Sequence, residues 1–162
     1  MKQKALQPAR FNRYVLLIDG IQKCIHKIRV EKAPKMGVKS VHMFWIHNLL
    51  EYPEGLTATE LAAKSMVDRS LISREIADLH RRGYVTLGEG GGGKRKNYNA
   101  RIRLTEQGID LARHINEVAM AVQEQIDVGI SEEELISFYA TLEKMHRNFL
   151  ALTDGDSAEH TK

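Results

Sequence analysis

The chain has 162 residues, of which 43% are hydrophobic, and it carries a formal net charge of +3. That length allows one domain, or one small domain with helical extensions, and the apolar content is ample for a core. No apolar run reaches membrane-spanning length, the N-terminus lacks a signal-peptide core, and the single cysteine cannot form an intramolecular disulfide. We therefore expect a cytoplasmic protein that does not enter a membrane.

Charges of the two signs are distributed unevenly along the chain. Residues 1–63 hold ten Lys or Arg against five Asp or Glu, residues 64–103 hold ten against four, and residues 105–162 hold four against twelve. A basic segment followed by an acidic one is typical of a protein with a nucleic-acid surface on one part. A charge run by itself is more often only a solvated face, so the interpretation depends on the motifs inside the basic segment.

Two helices are predicted before that segment. Residues 1–10 are polar and are expected to fray, whereas residues 11–30 predict a long helix because apolar residues recur every three or four positions. Pro34 and Gly37 then interrupt the chain. Residues 38–52 predict a second helix that is apolar around much of its circumference, and we expect it to be a buried strut.

Two shorter helices separated by a tight turn are predicted within residues 56–85. Thr57 and Glu60 have the spacing of a capping box, in which each side chain binds a free backbone N–H at the start of a helix. Residues 65–67 form the turn. Asp68 is a candidate N-cap for the second helix, where a carboxylate also meets the positive end of the helix dipole.

The second of these helices has a two-faced pattern. Ile72, Ile76 and Leu79 fall at positions i, i+4 and i+7 and share one buried stripe, and Gly83 ends the helix. The opposite face is short, polar and basic, as expected of a helix that enters the major groove of DNA. That face consists of Ser70, Ser73, Arg74, Ala77 and Arg81.

A basic hairpin follows the two short helices. Residues 84–89 predict a strand, residues 90–93 are four glycines, and residues 94–96 are all positively charged. Residues 97–104 alternate strictly between apolar and polar side chains, which indicates a half-buried strand. Helix, turn, helix and hairpin together predict a winged helix-turn-helix, and hence a mainly α fold with a small β wing.

Two further long helices are predicted after the wing. Thr105 begins one that runs to about Val128, Gly129 breaks it, and Ser131 caps the last helix. Apolar residues repeat at spacings of three and four along both helices, as in a coiled-coil seam. The outer helices carry more apolar surface than a small winged helix can cover, so we expect burial against a second subunit; the alternative is that they fold back on their own chain.

The chain resembles the MarR family of transcriptional regulators over nearly its whole length. The resemblance implies a dimer with a winged helix in each subunit and a dimerisation region built from the N- and C-terminal helices. One departure is that the wing tip has four glycines followed by a basic run, where the family has an acidic residue and an arginine. The residues that carry the resemblance are Leu56-Thr57, Glu60-Leu61-Ala62, Asp68-Arg69-Ser70-Leu71-Ile72-Ser73-Arg74, Leu79, Arg82-Gly83-Tyr84-Val85 and Leu104-Thr105-Glu106-Gln107-Gly108.

On this basis we predict three segments. Residues 38–104 form the DNA-binding domain, residues 1–37 and 105–153 form the dimerisation region, and residues 154–162 form a disordered tail. The predicted function is that of a ligand-responsive repressor whose homodimer binds a pseudo-palindromic site in double-stranded DNA, without a cofactor. The predicted contacts are Ser70, Ser73 and Arg74 at base edges, Lys64, Arg69 and Arg81 at phosphates, and Lys94, Arg95 and Lys96 in the minor groove.

Candidates for an effector site follow from the same resemblance. It implies a small phenolic or lipophilic effector between the dimerisation helices and the winged helix, where Met43, Trp45 and His47 are candidate lining residues. Such residues are more often plain core. Cys24 is a candidate peroxide sensor because one branch of the family uses a cysteine on its first helix, but a buried inert thiol is the interpretation we favour.

A metal site is the weaker hypothesis, and we predict none. A zinc-sensing branch of the family exists, and Asp110 and His114 have the i, i+4 spacing of ligands on one helical face. Cys24, His26 and His42 would be further ligands. The histidines are scattered, however, and an Asp–His pair near an arginine is more often a surface hydrogen bond.

Two other classes of function were compared with DNA binding. We find no Gly-rich phosphate loop, no nucleophile elbow and no paired carboxylates in a cleft, so we do not predict an enzyme. Winged helices also serve as protein-interaction modules in transcription-related complexes. Large exposed apolar residues on the outer face of the second short helix would favour that alternative, and the sequence shows none there.

Overall fold

The computed structural model describes residues 2–88 and 100–156, with side chains at 8–88 and 100–152. It divides into two compact units, Met1–Ala119 and Met120–Lys162. The predicted mainly α fold with a small antiparallel β wing is confirmed. The elements in chain order are α1 (Lys2–Lys32), a 3-10 helix (Ala33–Met36), α2 (Ser40–Glu51), α3 (Ala58–Ser65), α4 (Arg69–Arg81), β1 (Val85–Leu87), β2 (Ile102–Leu104), α5 (Glu106–Ile126) and α6 (Glu132–Asp156).

The core of the first unit is built around α2. Trp45, Ile46 and Leu49 of this helix are each at most 1% exposed, so the predicted buried strut is confirmed. Helices α3, α4 and α5 and the sheet add side chains to the same cluster. These include Leu61 of α3, Ile72 and Leu79 of α4, Val85 and Ile102 of the sheet, and Ala112 and Ile115 of α5.

Capping interactions define the starts of α3 and α4. Glu60 donates its backbone N–H to Thr57 Oγ1 at 3.2 Å, and Thr57 donates its own to Glu60 Oε2 at 2.7 Å, which is the predicted capping box. Asp68 Oδ1 accepts from the Ser70 backbone N–H at 2.6 Å. Between the two helices, Met66 takes the left-handed conformation, with φ 51° and ψ 41°. That turn reverses the chain so that α4 packs against α3.

The two strands pair at the base of the wing. Val85 is opposite Leu104 and Leu87 is opposite Ile102, in antiparallel register. The described strands are shorter than the predicted ones, and residues 89–99 lie outside the described part of the chain. Leu56 extends the pairing through a bridge to Ile102.

The Leu-Thr-x-x-Gly segment joins the wing to α5. Thr105 Oγ1 donates to Gly83 O at 2.6 Å and accepts from the Gly108 backbone N–H at 3.0 Å. A Cβ at Gly108 would lie 2.0 Å from the carbonyl oxygen of Tyr84, so no larger residue fits without moving the backbone. The glycine therefore permits the close approach of α5 to the start of β1.

The outer helices differ from the predicted ones in extent. α1 begins at Lys2, so the expectation that residues 1–10 fray is wrong. The segment is polar, but Ala, Leu, Gln and Lys are strong helix formers, and they continue the helix through Pro8. α6 ends at Asp156 and so overlaps the predicted tail, of which residues 157–162 lie outside the described residues. None of the described helices is long and apolar enough to cross a bilayer.

Candidate nucleic-acid interface

The inner stripe of α4 determines which face the helix presents to solvent. Ile72, Ile76 and Leu79 are at most 4% exposed and pack into the core, which confirms the predicted two-faced pattern. The opposite face is therefore on the surface, and it contains no large apolar side chain. Its residues Ser70, Ser73, Arg74, Ala77 and Arg81 are all exposed.

The N-terminal half of that face is the part best arranged for contacts with base edges. Hydrogen bonds from Ser70 lower the pKa of the Asp68 carboxyl, so this N-cap is an anion at neutral pH. Ser73 Oγ donates to the Arg69 carbonyl at 3.1 Å but stays exposed. Arg74 is exposed as well, and no described residue holds its guanidinium in a hydrogen bond or an ion pair. Its donors are therefore available for contacts with a bound molecule.

The predicted phosphate-binding residues have more varied surroundings. Lys64 Nζ donates to the hydroxyl of Tyr52 at 2.7 Å and lies 4.3 Å from the centre of its ring. Arg81 pairs with Asp78 of the same helix. Arg69 is half-buried. The phosphate-binding role of Lys64, Arg69 and Arg81 therefore stays a prediction.

The wing is described only at its base. Lys94, Arg95 and Lys96, the predicted minor-groove residues, lie outside the described part of the chain. At the base, Arg101 Nη1 donates to the Gly55 carbonyl at 2.7 Å, so this arginine joins β2 to the segment that leads into α3. Arg101 therefore has a structural contact within the chain.

A polar cluster behind α4 was missed by the sequence analysis. Glu75 Oε2 accepts from Lys39 Nζ at 2.7 Å and lies 2.9 Å from His42 Nε2. His42 is 0% exposed. We call the residues Lys39, His42, Glu75, Asp78 and Arg82 the inner polar cluster.

A signal for this cluster was present in the sequence. Glu75 and Asp78 fall at helical spacing beside the stripe of Ile72 and Leu79, on the side of α4 that faces the core. A buried carboxylate requires a partner of opposite charge or a hydrogen-bond donor. The partners of Glu75 are Lys39 and His42, which lie at the start of α2, more than thirty residues earlier. The sequence of that helix indicated only apolar packing.

Electrostatics keep both carboxylates of the inner polar cluster ionised. The hydrogen bond from Lys39 lowers the pKa of Glu75. Burial opposes ionisation of Asp78, but Arg82 and Arg81 outweigh it and lower the pKa of that carboxyl. Burial of the ring lowers the pKa of His42, although Glu75 acts in the opposite direction. His42 is therefore a neutral ring between charged groups.

The candidate metal ligands are not brought together as the spacing suggested. Asp110 pairs with Arg113 at 3.0 Å, and His114 lies 3.3 Å from Glu117. Cys24 is exposed, so its interpretation as a buried thiol is wrong for the single chain, because no described part of the chain covers that face of α1. Among the described residues, only His42, Glu75 and Asp78 place possible ligand atoms within 4.8 Å of one another.

The candidate effector-binding residues lie on α2. Met43 and Trp45 are 8% and 1% exposed and belong to the core. His47 is half-buried, and its Nδ1 lies 2.7 Å from Asn116 Oδ1 of α5. Met43 and Trp45 are therefore core residues, which is the commoner situation for such side chains. A role in ligand binding stays a prediction for Met43, Trp45 and His47.

The fold and this basic helix define a winged helix-turn-helix protein, and comparison with known proteins shows which family it resembles. Residues 37–96 match the model of the MarR family. A MarR transcriptional regulator from Methanosarcina mazei Go1 superposes with a TM-score of 0.76 at 20% identity, over 87% of this chain and 99% of that one. The predicted resemblance to MarR-family transcriptional regulators is therefore confirmed, by the family model over residues 37–96 and by the fold over most of the chain.

Two further solved structures are similar in fold. The S. aureus MepR–DNA complex gives a TM-score of 0.72 at 20% identity, over 84% of this chain and 97% of that one. CouR from Rhodococcus jostii RHA1, bound to p-coumaroyl-CoA, gives a TM-score of 0.66 at 20% identity, over 80% and 88%. At these identities the comparison establishes the fold and not the ligand.

Proposed function

We propose that this chain is a transcriptional regulator that binds specific sites in double-stranded DNA and acts as a repressor. The observation that carries the proposal is the outer face of α4, which is exposed, polar and basic while its inner face is buried. A helix held in this way presents its side chains to the major groove. The similarity in fold to MepR, which has been solved in complex with DNA, supports the same function.

Within this proposal the residues of α4 have separate roles. Ser70, Ser73 and Arg74 contact base edges, and Arg74 reads guanine because its planar guanidinium matches the O6 and N7 acceptors of that base. Lys64, Arg69 and Arg81 bind phosphates. The same proposal assigns the minor groove to Lys94, Arg95 and Lys96.

We also propose that the regulator is a homodimer. α1 in the first unit exposes Leu16, Leu17 and Ile21 at 73%, 55% and 50%, and α6 in the second exposes Ile136 and Phe138 at 63% and 51%. Exposed apolar surface of this extent marks an interaction site. A symmetric dimer would place two recognition helices about one DNA turn apart, roughly 10 bp, and so read a pseudo-palindrome.

Light scattering coupled to gel filtration would test the dimer. Ile21→Asp puts a charge into the exposed stripe of α1 and should give a monomer. Gln22→Asp adds an acidic side chain at the next, exposed position of the same helix and should leave the dimer intact. A wild-type monomer at micromolar concentration would contradict the proposal.

The effector is the least constrained part of the proposal. CouR has been solved with p-coumaroyl-CoA, and this chain shares its fold, which supports a small phenolic or acyl ligand. We expect such a ligand to release the protein from DNA by favouring a dimer geometry that DNA does not bind. Screening of phenols and acyl-CoA compounds for release from DNA would identify it.

The experiment that tests DNA binding is fluorescence anisotropy with two duplexes over a series of salt concentrations. One duplex comes from the region upstream of the gene and the other has random sequence. We expect the upstream duplex to bind about a thousandfold more tightly, which is the low end for specific binders. Affinity for both should fall steeply with salt because counterions are released. If neither duplex binds at low salt, the protein-interaction alternative takes the place of this proposal.

A further inference from the structure

The side of α4 that faces away from solvent carries a second set of polar contacts, and these hold the helix in position. A single carboxylate oxygen, Glu75 Oε2, lies 2.7 Å from Lys39 Nζ and 2.9 Å from His42 Nε2. Both partners belong to the N-terminal end of α2. Glu75 keeps only 18% of its side chain exposed and His42 none, so the contact between these two is screened from water, whereas Lys39 is half-exposed.

The hydrogen bonds of His42 give the direction of the contact with Glu75. The Lys39 backbone N–H points at His42 Nδ1 across 3.4 Å, so Nδ1 is the acceptor. The proton of the neutral ring is then on Nε2 and is donated to Glu75. One buried ring therefore caps the first turn of α2 and binds α4 at the same time.

A second connection lies two helical turns further along. Arg82, which follows the last residue of α4, donates to the Gly37 carbonyl at 2.8 Å and pairs with Asp78 through Nε at 3.1 Å. Gly37 ends the short 3-10 helix between α1 and α2. The recognition helix is thus bound to the start of α2 at two heights, and this restricts both its tilt and its rotation.

Rotation of α4 about its axis would displace the side chains of its outer face. An α-helix with its side chains is about 10–12 Å across, so a rotation of about 20° moves a side-chain end by about 2 Å. A hydrogen bond to a base edge does not survive that displacement. Contacts with phosphates tolerate it better, because they depend on charge and less on direction.

From this geometry we propose that Glu75 is a positioning residue for sequence-specific DNA binding, which it supports by fixing α4 against Lys39 and His42. The inference rests on the proposed DNA-binding function. A metal site built on His42, Glu75 and Asp78 is less well supported, because Lys39, Arg81 and Arg82 already neutralise the two carboxylates. A divalent cation would have to displace those partners.

The test compares Glu75→Gln with Glu117→Gln. Both variants remove one negative charge from a carboxylate that lies near a histidine, but Glu117 is exposed on α5 and contacts His114 alone among the described residues. Affinity is measured for a random duplex and for the duplex that the wild type selects from a random library. Both measurements are made well below the unfolding temperature of each variant, so that every sample is folded.

We expect Glu75→Gln to lower affinity for the selected duplex about tenfold, the loss that follows when one bidentate base contact is displaced. Its affinity for the random duplex should equal that of Glu117→Gln. A residue that only stabilises the fold would lower the unfolding temperature without changing the ratio of the two affinities. Equal ratios in the two variants would overturn the proposal.

Lys39→Met provides a second approach to the same contact if Glu75→Gln does not fold. Lys39 is half-exposed and its loss keeps the His42–Glu75 hydrogen bond, so this variant should fold. Alone, Lys39→Met should lower the ratio of selected-duplex to random-duplex affinity, and an unchanged ratio would overturn the proposal. Where Glu75→Gln folds, the double variant should lose less specific affinity than the sum of the two single losses, because both changes remove the same interaction. If the wild type selects no duplex, the proposed function fails and this inference fails with it; if it selects one and Glu75→Gln binds it normally, the inference alone fails.

Discussion

The two faces of α4, a helix of thirteen residues, differ in composition and in their contacts. The outer face is polar, exposed and almost free of contacts with the rest of the described chain. The inner face combines the apolar stripe of Ile72, Ile76 and Leu79 with the carboxylates of Glu75 and Asp78. Stability should therefore depend on the inner face and DNA affinity on the outer one, with Glu75 as the point where the two are coupled. Three predictions separate these contributions, and a fourth concerns the turn before α4.

The largest effect is expected from truncation of the apolar stripe. Leu79 is 0% exposed in the core cluster, so Leu79→Ala should destabilise the protein by about 2–5 kcal/mol through lost burial and a residual cavity. Urea unfolding followed by circular dichroism measures this change. Ser73→Ala on the outer face is the control and should change stability by less than about 0.5 kcal/mol. A similar loss of stability in both variants would mean that the two faces of α4 contribute equally to stability.

The outer face should show the opposite result. Arg74→Ala should reduce discrimination between specific and random duplexes by about 1–3 kcal/mol, because a bidentate base contact is lost. Its unfolding midpoint should stay at the wild-type value. Arg113→Ala removes the same charge from an exposed arginine of α5, which pairs only with Asp110 among the described residues, and should keep the discrimination. Equal effects of the two variants would mean that Arg74 contributes charge alone.

The inner polar cluster predicts how stability depends on pH. Burial lowers the pKa of His42, so the folded ring stays neutral at pH values where the unfolded chain, with an ordinary pKa of about 6.5, takes up a proton. The unfolded state then binds more protons, and stability falls as pH decreases below about 6.5, by at most about 1.4 kcal/mol per pH unit. Glu75 adds to this loss at lower pH, because its folded pKa is lowered and its contribution disappears as the carboxylate is protonated.

Chemical unfolding at pH 7.5, 6.5 and 5.5 measures this dependence. His42→Gln keeps an N–H donor toward Glu75 but has no group that titrates in this range, so its stability should change less between these pH values. Lys39, Glu75, Asp78, Arg81 and Arg82 remain in both proteins and contribute equally to the comparison. His114→Gln, which alters an exposed histidine, should retain the wild-type slope. An unchanged slope in His42→Gln would assign the pH dependence to other groups.

The difference between local and long-range contacts of α4 explains which of its features could be predicted from the sequence. The capping box of Thr57 and Glu60, the N-cap at Asp68 and the stripe from Ile72 to Leu79 all depend on residues at most seven positions apart, and helical spacing reveals them. The contact of Glu75 with His42 joins residues 33 positions apart, and no local pattern indicates such a pair. The tertiary packing of the helices brings Glu75 and His42 together.

The outer helices show a second source of error. Their apolar periodicity predicted helices correctly, but it could not say what covers the apolar side. Cys24 was expected to be a buried inert thiol, and in the single chain it is exposed. Periodicity identifies the face that avoids water, but it carries no information on whether elements far along the chain or another molecule cover that face.

The smallest predicted effect concerns the turn before α4, which belongs to neither face. Met66 is held at φ 51° with 68% of its surface exposed, so it has backbone strain and few contacts to offset it. A left-handed conformation costs a residue with a Cβ about 1–2 kcal/mol, and glycine avoids this at an entropic cost of about 0.5–1 kcal/mol. Met66→Gly should therefore stabilise the protein by roughly 0.5–1 kcal/mol in urea unfolding.

Ala63→Gly, in the right-handed turn of α3 just before Met66, is the control. It should destabilise the protein by about as much, because there glycine contributes only its entropic cost. The opposite signs of these two glycine substitutions would show that backbone conformation governs this turn, whereas destabilisation by both would mean that the Met66 side chain is required there.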